Sequence, residues 1–148
     1  MRLRGFMAFL AFAAALAAPA AFADQLLDGL KTLPGNVEDV RIGGTWDSGG
    51  KSGAYRILVA RSGGDAVTAR MFIQWLVYND DGTTTLQDTI EIKELADLKV
   101  DVVDFTSESD QDGLAIFIRT LDPNGSDDLN YELHVASPTQ YKFRQASN

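Results

Sequence analysis

The sequence predicts an all-β fold, an antiparallel meander closed into a small barrel or folded into a two-sheet sandwich. Three observations carry this. Stretches of period-two alternation recur from residue 37 onward, the connections between them are short and rich in Gly, Asn, Asp and Pro, and Met71 to Tyr78 is apolar on both alternating faces apart from Gln74. Loops this short join neighbouring antiparallel strands and leave no room for parallel crossovers.

Residues 1–23 are expected to be a secretory signal peptide rather than part of the fold. Arg2 and Arg4 give a basic start, Phe6 to Ala18 is an unbroken apolar run, Pro19 interrupts it, and Ala21-Phe22-Ala23 offers small residues ahead of a cleavage point before Asp24. The run is too short for a hydrocarbon core that takes about 20 residues. The chain is therefore expected in the periplasm or the extracellular medium, with no membrane association after cleavage. Removing the two arginines takes the formal charge from −8 to −10 over residues 24–148. A chain this acidic repels nucleic acid and anionic membranes. It contains no cysteine, which favours a bacterial exported protein over a disulfide-stapled animal one.

Residues 24–36 are expected to form a helix and linker. Leu26, Leu27, Leu30 and Leu33 share one side at helical spacing, Asp24 suits the first turn, and Pro34-Gly35-Asn36 stops it. That leucine side should be packed against the sheet, over the second face of residues 70–78. The β domain then occupies 37–148, with strands expected at 38–43, 54–61, 66–79, 83–94, 98–105, 114–121, 129–136 and 140–144. Lys93–Leu98 is the one connection with helical potential, enough for about a turn.

A meander alternates its turns between two ends. Loops 44–53, 79–82, 105–113 and 137–139 should share one end, and 62–65, 94–98 and 122–128 the other. The first set includes the two longest loops and with them Trp46, Asp47, Asp80, Asp81, Asp110 and Asp112, the candidate ligand- or partner-binding residues. Gln74 joins them if the second face of its strand lines a cavity; bonded into a covered sheet face, it is structural.

Other motifs are weaker. Gly49-Gly50-Lys51-Ser52 resembles the end of a phosphate-binding loop, but its first glycine is misplaced and a strand follows, so a glycine-rich turn is the better reading. Asp122, Asn124, Asp127 and Asp128 could offer oxygens to calcium, without the glycine spacing of an EF-type loop. His134, the only histidine, falls on the polar side of a strand and cannot build a multi-histidine zinc site. Gly44-Thr45-Trp46, with Arg144 far downstream, is similar over three residues to the Gly-x-Trp and basic residue that close lipocalin-like barrels. A Trp capping the core edge explains it as well, and no family is read from it.

No cofactor is implied, and no nucleophile constellation is present. The expected function is an exported, non-catalytic binding module acting on a protein or other macromolecule through its loops or an exposed sheet face. The rivals are a lipocalin-like carrier of a small apolar ligand, which needs a hollow interior, and a hydrolase built on paired carboxylates, which needs one of them desolvated. The oligomeric state is not encoded in any pattern of this chain.

Overall fold

The computed structural model describes residues 18–125 and 129–147. The chain divides into an N-terminal segment reaching Pro34 and a β unit from Gly35 onward. Most of the expected signal peptide lies outside the described residues. Helix α1, Ala18–Lys31, starts earlier than its leucine pattern suggested and runs across the expected cleavage point. It is finished by Thr32, whose hydroxyl donates to the Gly29 carbonyl at 2.8 Å, ahead of the helix-breaking Pro34. Leu26, Leu27, Leu30 and Leu33 are 67, 51, 61 and 45 % exposed, so the burial expected of this leucine side is not found. No helix among the described residues is long and apolar enough to cross a membrane.

The β unit is a sandwich of two antiparallel four-stranded sheets, each a meander, and the sheets do not close into a barrel. The first holds β1 (Val37–Ser48), β2 (Lys51–Gly63), β3 (Val67–Tyr78) and β4 (Thr84–Glu91) in that order; the second holds β5 (Asp101–Asp110), β6 (Gly113–Leu121), β7 (Leu129–Ser137) and β8 (Gln140–Gln145). Period-two alternation builds one shared core. Tyr55, Ile57 and Val59 from β2 and Ala69, Met71, Ile73 and Trp75 from β3 meet Phe105 of β5, Leu114, Ile116 and Ile118 of β6, and Tyr131, Leu133 and Val135 of β7. The central members are fully buried, so the space between the sheets is filled.

The run at 71–78 resolves differently from its expectation of cover on both faces. Its inward residues are core, and on the outer face only Leu76 is buried, while Tyr78 is half exposed. Side chains of the same sheet supply what cover there is. The Arg70 guanidinium lies 5.2 Å from the Phe72 ring centre, and Gln74 accepts from Arg56 Nε at 2.7 Å while donating to the Thr89 hydroxyl at 3.2 Å. Gln74 is thus a structural, outer-face residue.

Two of the expected long loops are hairpins instead. β1 and β2 pair from Trp46↔Gly53 out to Ser48↔Lys51, and β5 and β6 pair out to Asp110↔Gly113. Gly49 and Gly50, at φ 61° and 74°, form the two-residue turn whose left-handed backbone matches strand twist. This settles the Gly-Gly-Lys-Ser motif as a hairpin tip.

Across the sandwich, β1 is tied to β5. Arg41 Nη1 donates to Asp104 Oδ1 at 3.1 Å and to the Phe105 carbonyl at 2.9 Å, and its guanidinium lies 4.3 Å from the Phe105 ring centre. The Phe105 N–H, bonded to the Asp104 carboxylate, and then Arg41 hold Asp104 below the usual carboxylate range.

The end of the sandwich that carries the β2–β3 turn is closed. Helix α2, Lys93–Leu98, occupies it, with Ile92 N–H bonded to the Met71 carbonyl at 3.0 Å and Ala69 N–H to the Val100 carbonyl at 2.8 Å. These bonds fix the short helix so that Ile92, Leu95 and Val100 enter the core, with Ile92 and Leu95 fully buried. Lys99 ends it in a left-handed conformation, φ 55°, its N–H on the Ala96 carbonyl.

Candidate functional site

At the opposite end the β1–β2, β5–β6 and β7–β8 hairpins meet. An open cleft of about 700 Å³ lies there. Its aromatic residues follow from strand register. Tyr55 of β2 and Trp75 of β3 are direct partners on the inner face, in edge-to-face contact with ring centres 5.8 Å apart, and each is 4 % exposed. Together they close the core beneath the cleft. Trp46 sits opposite Gly53, which leaves room for the indole; a Cβ at Gly53 would come within 3.0 Å of the Trp46 ring and overlap the Leu76 carbonyl. Tyr78, at the end of β3, contributes a half-exposed fourth ring to the lining.

The rest of the lining is polar. Asp47, Ser48 and Ser52 come from the first hairpin, Ser109, Asp110 and Gln111 from the β5–β6 hairpin, Ser137 and Pro138 from the β7–β8 turn, and Gln87 from β4. Ser109 Oγ accepts from Thr45 N–H at 3.0 Å, which ties β1 to β5 at the rim. Burial pushes the Tyr55 hydroxyl above its ordinary range, and the nearby Asp110 charge adds to this. Trp46 Nε1 is buried and has no hydrogen-bond partner among the described residues. Among the described residues the lining contains no lysine or arginine.

Of the residues singled out from sequence, Trp46, Asp47 and Asp110 line this cleft. Asp80 and Asp81 lie in the β3–β4 turn outside it, where Asp81 Oδ1 accepts from the Thr83 N–H at 2.9 Å and its hydroxyl at 2.6 Å and titrates below the usual range as a result. Asp112 is also outside the lining; its N–H donates to Asp110 Oδ1 at 2.8 Å, shaping the turn that presents Asp110. Gln74 belongs to the outer face already described. Tyr55, Trp75, Tyr78, Ser109, Gln87, Gln111, Ser137 and Pro138 were not singled out as binding residues. The signal for the first two was present: the inward alternation of β2 and β3 continues to the hairpin end.

The remaining motifs do not converge on a centre. Asp122 Oδ1 accepts from Asn124 N–H at 2.8 Å, capping its own turn, and Asp127 and Asp128 lie outside the described residues. Among the described residues no group of three or more His, Asp or Glu is placed to hold a metal ion. His134 is exposed on the outer face of the second sheet, in a cross-strand row between Ala115 and Lys142. Arg144 pairs with Glu132 in the next row of that sheet and is not part of the lining around Trp46, so the Trp–basic closure of a lipocalin-like base is not formed. No protein-family model, curated protein or solved structure matches this chain.

Proposed function

We propose that the chain is an exported, non-catalytic binding module that takes its ligand at the hairpin end of the sandwich. The observation that carries this is the cleft itself. A rigid two-sheet scaffold presents side chains from three hairpins around one concavity, within the several-hundred-Å³ range of ligand sites. Export rests on the pattern of residues 1–23.

The rival readings are less well supported. A carrier of an apolar ligand would use a hollow interior, and the interior here is packed with Ile57, Met71, Ile73, Leu114, Ile116 and Leu133. A carboxylate hydrolase would need an acid raised by desolvation, and Asp81, Glu91 and Asp104 are all displaced downward by hydrogen bonds and arginine partners. The outer face of the first sheet exposes Val40, Ile42 and Leu86, but the polar row Arg56–Gln74–Thr89 crosses it.

Both tryptophans of the chain line the cleft, so intrinsic fluorescence reports its occupancy directly. Titration with four probes of distinct chemistry (maltotetraose, laurate, choline and a basic hexapeptide) should give a saturable change with at least one, weakened in the Asp47→Asn variant. Linear or absent responses to all four would overturn the binding reading.

A further inference from the structure

Resting on the reading of the hairpin end as the binding site, we propose that the ligand is a neutral saccharide. Sugars combine apolar C–H faces with hydroxyls that both donate and accept. The cleft lining has the same two features, aromatic rings such as Trp46 and Tyr78 and polar side chains such as Ser48, Ser52, Gln87 and Gln111. Asp47 stands exposed at the rim with its carboxylate free for a ligand hydroxyl, beside the Ser48 and Ser52 hydroxyls and the Gln87 and Gln111 amides. A hydroxyl can serve both kinds of partner.

The other ligand chemistries each leave part of this lining unmatched. An anionic ligand would face Asp47 and Asp110 with no lysine or arginine to offset them. An apolar ligand would desolvate these carboxylates and the Gln87 and Gln111 amides without replacing their water, at roughly 1–3 kcal/mol for each group left unpaired. A quaternary ammonium such as choline suits the acids and the rings but brings a single hydroxyl to the serines and glutamines of the lining. Neutral hydroxyls can pair with the serines, the amides and the carboxylates of the lining alike.

The test is calorimetric titration of the whole exported chain with maltotetraose, cellotetraose and chitotetraose, beside tetragalacturonate, laurate and choline. At least one neutral tetrasaccharide should bind saturably, and more tightly than the three charged probes. Trp46→Phe shrinks the ring on which a sugar face would stack and should weaken binding severalfold. Gln111→Ala, in an exposed turn, provides a second variant if Trp46→Phe fails to fold, and should weaken binding severalfold. Asp80→Asn, outside the cleft, should leave it unchanged. Saturable binding of laurate, choline or tetragalacturonate alone overturns the saccharide inference while the binding module stands. Neutral-sugar binding untouched by both cleft variants also overturns it. No binding by any of these probes overturns the saccharide inference, and the binding module falls with it only when the basic hexapeptide also fails to bind.

Discussion

The two ends of this sandwich are built from similar turns and do opposite things. At one, α2 drives Ile92, Leu95 and Val100 between the sheets and closes the core with aliphatic side chains. At the other the core stops at Tyr55 and Trp75, and the strands run on as paired hairpins that stand around a cleft. The difference lies in one connection. The β4–β5 link is the crossing from one sheet to the other, and it is spent as a helix at the closed end; the turns of the open end each join neighbouring strands of one sheet. Burial therefore stabilises one end, and backbone pairing shapes the other.

That contrast can be broken at either end. The largest effect should come from Leu95→Ala, which removes a fully buried side chain from the closed end and should cost about 2–5 kcal/mol in urea denaturation. A loss below about 1 kcal/mol would mean that α2 is not part of the core. Next comes Gly53→Ala at the open end, where a Cβ would meet the Leu76 carbonyl and the Trp46 ring; about 1–3 kcal/mol is expected, with the Trp46 fluorescence altered as the indole is displaced.

A smaller effect is read in pH. The Tyr55 hydroxyl titrates higher in the folded chain than in the unfolded one, chiefly through burial. The folded state then holds this proton more tightly, so its contribution is complete below the ordinary tyrosine value of about 10 and is lost as pH rises through the folded value. Tyr55→Phe should flatten the alkaline limb of the stability profile; an unchanged limb would assign that loss to other groups. The smallest effect belongs to Asp47→Asn, exposed at the cleft rim. It should leave stability within about 0.5 kcal/mol while changing ligand affinity, which separates the site from the scaffold that holds it.

Much of the scaffold could be read from residue pattern. Alternation in 114–118 and 129–135 placed β6 and β7 because one face of each strand is core and the other is wet. Lys93–Leu98 was legible as a helical turn between strands, and the grouping of turns by end anticipated that segments 44–53, 105–113 and 137–139 would meet. The hairpin tips were misread as long loops because Gly44, Gly49, Gly50 and Gly53 suggest irregular chain, whereas positive φ at three of them lets the strands bulge and turn without ending. The acids were overvalued for a similar reason. Asp81, Asp112 and Asp122 satisfy local turn N–H groups or sit beside those that do, a role identical in composition to that of a site. Tyr55 and Trp75 were missed as binding residues because inward alternation marks them as core, and they are core; only register shows that they are its last layer.

The most direct test of a sealed end opposite a working end is one pair of ¹H–¹⁵N spectra of the labelled chain, without and with saturating tetrasaccharide. The chain's two tryptophans give two indole cross-peaks, and both should move, together with amides of residues 46–53 and 109–113, while those of 92–100 around α2 stay in place. Shifts centred on residues 92–100, or indole peaks that do not move under a sugar that binds, would contradict the account.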